Sequence, residues 1–123
     1  MYPDESERES DNTNDTNDDY DDEAWFTHQV DRKLAALAHP ARRFALELLV
    51  WGESPAGELS ASIASAFGVA TSRGSQHLQV LARAGLVDVY ADGHTRNYRL
   101  NETGLAEVTE WIGRLRLGRA EDR

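Results

Sequence analysis

The chain contains no cysteine, which excludes disulfide frameworks, thiolate metal sites and sulfur-based redox sensing together. It has no apolar run near the roughly 20 residues that a bilayer crossing needs, and its first residues lack the basic-then-apolar pattern of a secretory signal. A soluble, cytoplasmic protein is expected. Gly-x-Ser-x-Gly, phosphate-loop, His-Glu-x-x-His and dinucleotide patterns are missing, and the part beyond the N-terminal tail offers no carboxylate cluster suited to acid–base work, so no enzyme is expected. No repeat is visible at any period. At 123 residues the chain can build one small domain, and its core would gain from pairing with a second copy.

Charge is abundant but unevenly placed. The net charge is −9, yet residues 1–23 hold 11 of the 22 acids and one of the 13 bases, leaving 11 acids against 12 bases on the remainder. The folded part is therefore near neutral, and a basic face needs only local clustering, for which Arg42, Arg43, Arg73, Arg96 and Arg99 are available. Residues 1–23 are too polar and too self-repelling to bury a core and read as a disordered acidic tail. Such a tail is either a solubilising segment or a competitor of nucleic acid for the basic face.

Order is expected from near Trp25, with Phe26, Val30, Leu34 and Leu37 at helical spacing up to His39-Pro40. Proline suits a first helical turn, and Ala41, Phe44, Ala45, Leu48 and Leu49 then share one helical face. Gly52 ends that helix. Ser54-Pro55 reads as the cap and first turn of a third helix carrying Leu59, Ile63 and Ala64, and Phe67-Gly68-Val69 as a turn. Thr71 or Ser72 is then placed to cap a fourth helix, which stops at Ala84-Gly85.

On that fourth helix Ser72, Ser75, Gln76, Gln79 and Arg83 form a polar stripe, while Leu78, Leu81 and Ala82 face away from it. Two β-capable runs follow, Leu86 to Ala91 and Thr95 to Leu100, with Asp92-Gly93 as the expected tight turn and His94, Arg96 and Arg99 just beyond it. Short polar donors on a helix beside a basic ribbon suit base-edge and phosphate contacts on duplex DNA. Arg73, near the start of the helix, could take guanine O6 and N7 in a bidentate contact, and Arg42 or Arg43 could reach a phosphate or remain a solvated charge. Asn101 is placed to cap a last helix whose Leu105, Val108, Ile112 and Leu115 step as a seam, with Trp111 beside it. That seam packs on its own domain or across a two-fold axis.

The four histidines stand at 28, 39, 77 and 94, with no pair at the spacing that puts two imidazoles on one helical face. No metal site and no cofactor are expected. His39 reads as the end of the first helix, where a cation suits the dipole, and His77 as a residue at the core edge bonded to neighbouring backbone.

The blocks LAALAHPARRFALELL, GELSASIASAFGV, TSRGSQHLQVLARAGLV and DGHTRNYRLN, covering about residues 30–116, resemble the ArsR/SmtB-type bacterial transcriptional regulators. Ser75-x-His77-Leu78-x-x-Leu81 followed by Ala-Gly-Leu-Val is the most specific part. The resemblance implies a mainly α winged helix-turn-helix domain over residues 24–118, with 119–123 as a flexible end. It implies a homodimer joined through the first and last helices, with Val30, Leu34, Leu105, Val108, Trp111, Ile112 and Leu115 at the interface. It further implies a pseudo-palindromic operator, usually repressed, read by Ser72, Arg73, Ser75, Gln76 and Gln79, with His94 and Arg96 at the wing tip. The metal-sensing members' cysteine pair and last-helix His/Asp set have no counterpart here. Gly74 stands where the family more often has Val, Ile or Ala, and a glycine inside a helix costs about 1 kcal/mol, so this helix is expected to fray without DNA. The rival reading is a winged helix that binds protein, its acidic tail mimicking nucleic acid.

Overall fold

Apolar residues at i, i+3, i+4 and i+7 produce five helices in the computed structural model, which describes residues 22–121 and the side chains of residues 28–118. The acidic stretch 1–21 and the last two residues lie outside the described residues. α1 (Asp22–Leu37) and α2 (Pro40–Leu49) are followed by the two-residue strand β1 (Ser54–Pro55), then by α3 (Ala56–Phe67) and α4 (Thr71–Arg83). β2 (Val87–Asp92), β3 (Thr95–Leu100) and α5 (Glu102–Glu121) complete the order. α1 starts slightly before the expected Trp25, and α5 continues past the boundary drawn at residue 118.

Ala45, Ile63, Leu78, Leu81 and Leu86 are wholly buried, joined by Leu49, Leu59 and Tyr98. One core therefore draws on α2, α3, α4 and the sheet, each large side chain contributing about 1.5–3 kcal/mol. The sheet is antiparallel in the order β1-β3-β2. Ser54 and Pro55 pair with Tyr98 and Asn97, so Ser54-Pro55 is an edge strand rather than the expected helix cap and first turn, and Pro55 takes the N-cap position of α3 without a side-chain bond. Proline is tolerated there because an edge strand needs no donor on its outer side.

The end of α1 is held from outside. Its last turn has no basic residue, and α2 supplies the donors instead: Arg42 Nε donates to Ala36 O at 2.7 Å and Arg43 Nη1 to Leu37 O at 2.7 Å. His39 caps α2, its Nδ1 accepting from the Ala41 amide at 3.2 Å. That corrects the expectation that His39 finishes α1: the helix ends at Leu37, and His39 opens α2 instead. Arg42→Ala should uncover the last carbonyls of α1 and cost about 1–2 kcal/mol; urea unfolding monitored by circular dichroism would check this.

Asn101 caps α5 as expected, its Oδ1 accepting from the Gly104 amide at 2.8 Å while its Nδ2 donates to Asp88 at 2.9 Å. Behind this cap Lys33, only 4% exposed, pairs with Glu107 at 2.9 Å and ties α1 to α5. A Cβ on Gly104 would collide with the Gly85 carbonyl, so only glycine lets the start of α5 lie this close to the turn after α4.

Candidate nucleic-acid interface

The α3–turn–α4 unit is built to expose one side of α4. α3 ends at Gly68, whose φ of 66° is the left-handed geometry that favours glycine. After Val69, Ala70 is the N-cap of α4 and carries no side-chain cap bond, so neither Thr71 nor Ser72 caps the helix as expected. Both belong to the first turn or its edge and are exposed. The Arg73 and Gly74 amides are satisfied by the Ala70 carbonyl, at 3.0 and 3.3 Å, so the first turn is closed by backbone alone.

Gly74, His77, Leu78 and Leu81 form the buried side of α4. Ser72, Arg73, Gln76, Gln79 and Arg83 are exposed on the other, with Ser75 half-buried at the boundary. Gly74 determines how deeply the helix sits: a Cβ there would stand 2.6 Å from Ser60 O and 3.1 Å from its Cα. The intrinsic helix cost of glycine is thus offset by backbone contact between α3 and α4, which assigns Gly74 a packing role that the expectation of a frayed helix had missed.

His77 is buried and acts across elements rather than on neighbouring backbone. Its Nδ1 lies 3.2 Å from Arg42 Nη1, and its ring stands 4.3 Å, centroid to centroid, from that of His39. Burial, then His39, Arg42 and Arg73, lower its pKa below the ordinary 6.5. The unfolded chain therefore takes up a proton near pH 6.5 that the folded protein refuses until a lower pH, so the stability His77 contributes is full above 6.5 and declines as pH falls toward its folded pKa. Urea midpoints measured from pH 7.5 downward should fall, with a shallower fall in His77→Gln.

The wing forms by pairing Asp92 with Thr95. Its two central residues are Gly93 and His94, one position later than the expected Asp92-Gly93, and Gly93 carries the positive φ of 66°. Asp92 instead closes the strand. His94 and Arg96 are exposed at the tip. Arg99 is engaged further back, over the Tyr90 ring at 5.1 Å and 3.6 Å from Asp88. Arg42, placed among the DNA contacts by the sequence, is half-buried and turned inward to α1 and His77. Arg43 is exposed but holds the Leu37 carbonyl.

The seven residues expected at a dimer interface divide between two roles. Val30 is 1% and Val108 8% exposed within the single chain, so both are core residues here rather than free surface, and Leu34, Leu105 and Trp111 are half-buried. Ile112 and Leu115 remain open at 45% and 56%, and the run continues in Leu117 at 64%. Leu117 was missed because the seam was read only to Leu115. Among the described residues no cluster of His, Asp or Glu could hold a metal ion, and no helix is long and apolar enough to cross a membrane.

Three packed helices ending in a helix–turn–helix, followed by a two-stranded ribbon against the same core, define a winged helix-turn-helix domain. No family model matches the chain, but individual proteins do. It is 43% identical over 72 residues to the HTH-type transcriptional regulator Rv0081 of Mycobacterium tuberculosis, covering 58% of this chain and 60% of that protein. It is 32% identical over 77 residues to the transcriptional repressor SdpR of Bacillus subtilis, covering 63% of this chain and 81% of that one. The solution structure of a homodimeric winged helix-turn-helix DNA-binding domain from Mycobacterium bovis, a possible ArsR-family regulator, superposes with a TM-score of 0.58 at 29% identity, covering 85% of this chain and 93% of that one. The chain belongs to the ArsR-type family of winged helix-turn-helix transcriptional regulators. It spans about 60% of the length of the mycobacterial relatives it matches first.

Proposed function

We propose that the protein is a cytoplasmic, homodimeric repressor that binds a pseudo-palindromic DNA operator. The observation that carries this reading is the division of α4: one side is locked into the core through Gly74, His77, Leu78 and Leu81, and the other presents Ser72, Arg73, Gln76 and Gln79 to solvent. A helix held so firmly from behind can enter a major groove without reorganising. In this reading Arg73 takes a guanine edge, while Gln76 and Gln79 address adenine edges or neighbouring phosphates. The exposed Ser72 hydroxyl at the positive end of the α4 dipole holds a phosphate, with Ser75 at the groove edge. His94 and Arg96 grip the flanking backbone or minor groove.

Arg42 enters as a positioning residue, since its donors are spent on α1 and on His77. The apolar end of α5, Ile112 to Leu117, meets its counterpart across a two-fold axis. Two recognition helices then sit about 34 Å apart in successive major grooves, and the bound dimer excludes polymerase from the promoter. Residues 1–23 would act as an acidic competitor for the same face. The near-neutral folded part binds by local clustering of bases, so the affinity should depend steeply on salt.

A footprint of the full chain on the promoter of its own gene, with affinities measured from low to high salt, tests this reading. The expected result is a protected, symmetric site, with log K falling linearly in log salt by about 0.9 for each phosphate neutralised. Binding that is absent, or indifferent to salt and sequence, would instead favour a protein-binding module.

A further inference from the structure

The far end of α4 carries Arg83, the last residue of the exposed stripe and one given no part in the operator contacts above. Arg32 and Ala35–Ala36 of α1, Arg42 of α2, and Val80, Arg83 and Ala84 at the end of α4 line an open cavity of about 280 Å³. Arginines from three helices line it, and no carboxylate is among the lining residues. A concavity lined by cations and no carboxylate concentrates positive potential and favours an anion.

The three arginines are unequally occupied. Arg42 is spent on Ala36 O, Ala35 O and His77. Arg32 uses one Nη2 on the Arg83 carbonyl, at 2.7 Å, and the Arg83 guanidinium carries no bond among the described residues. The helix-end carbonyls nearest the cavity, Ala36 O and Arg83 O, already accept from arginine, so their repulsion of an anion is muted. Between the cations the wall is apolar: Ala36 and Ala84 are buried and Val80 is half-buried.

We infer that this cavity is a binding site for a small organic carboxylate. The carboxylate takes the free forks of Arg83 and Arg32 in charge-assisted hydrogen bonds, and a short apolar body lies on Val80, Ala36 and Ala84. Inorganic phosphate offers at least as much negative charge but nothing to cover the apolar wall, so weaker binding by phosphate marks the apolar body as part of the recognition. The ligand competes for Arg32, which tethers α1 to the last carbonyl of α4. Occupancy would therefore alter the seating of α4, a consequence that rests on the DNA-binding reading, whereas ligand binding itself does not.

The test is a titration of the full chain, without DNA, by amide NMR with sodium hexanoate, sodium phosphate or sodium chloride at constant ionic strength. Hexanoate is expected to give saturable shifts at Ala35, Ala36, Val80 and Ala84, and phosphate weaker ones. Arg83→Gln, which keeps the backbone carbonyl that Arg32 uses, should weaken hexanoate about tenfold or more. Shifts that never saturate, or that chloride reproduces, overturn the site. Equal affinity for phosphate overturns the carboxylate assignment, and saturation unchanged in both Arg83→Gln and Arg32→Gln places binding elsewhere and overturns the proposal. With no DNA in the experiment, any of these results leaves the operator reading standing or falling separately.

Discussion

Replacing Ile112 and Leu115 together by glutamate is expected to leave a folded monomer whose operator affinity is about 10²–10⁴-fold lower. Both side chains are half open to solvent in the single chain, as is Leu117, so the substitution removes nothing from the protomer core. In the proposed dimer the same residues are covered, and even with Arg114 and Arg116 on the same helix each buried carboxylate costs several kcal/mol of desolvation that the apolar pair does not. Once the half-sites are no longer linked, each domain binds alone and the gain from effective concentration is lost. Sedimentation velocity and gel shift on one operator would check both consequences. A variant that remains dimeric would place the interface on another surface.

Gly74→Val is expected to destabilise the protein by an amount near the top of the range of about 1–3 kcal/mol typical of overpacking. Two effects of opposite sign compete. A side chain improves helix propensity by somewhat under about 1 kcal/mol over glycine. Its Cβ, however, must stand against Ser60 backbone at 2.6 Å, where no flexible side chain can yield, so α3 and α4 have to separate. The steric term wins because the obstacle is main chain. Urea unfolding gives the magnitude, and operator affinity should fall with it because α4 carries the residues proposed to face DNA. A neutral or stabilising result would show that the α3–α4 crossing is looser than this geometry.

The helices could be read from the sequence because each carries a local signal. The i, i+3, i+4 pattern from Ala41 to Leu49, the left-handed Gly68 and the Asn101 cap need no knowledge of distant residues. The polar side of α4 was legible for the same reason, and Gln76 and Gln79 are exposed as its periodicity requires. What escaped is contact between elements far apart in the chain. β1 is two residues long and exists only because β3 lies beside it, so no alternation marked it. His39 and His77 meet through the α2–α4 packing, and nothing in their separation along the chain announces this. The wing turn moved by one residue because Asp-Gly and Gly-His both offer a glycine to the positive-φ position, and the strand register chose Gly93 as the first central residue. Periodicity likewise put Val30 and Val108 on apolar faces but could not say whether the chain itself or a second copy covers them; their own domain does.

The proposed operator recognition rests on Arg73 and its neighbours meeting base edges, and operator binding by Arg73→Ala, measured on the wild-type site and on a set with each base pair changed in turn, tests this most directly. Arg73 is exposed, so the variant should keep its stability while losing about 1–3 kcal/mol of affinity and its preference at one base pair in each half-site. Unchanged affinity together with an unchanged preference at every position would contradict the assignment of α4 as the reading helix.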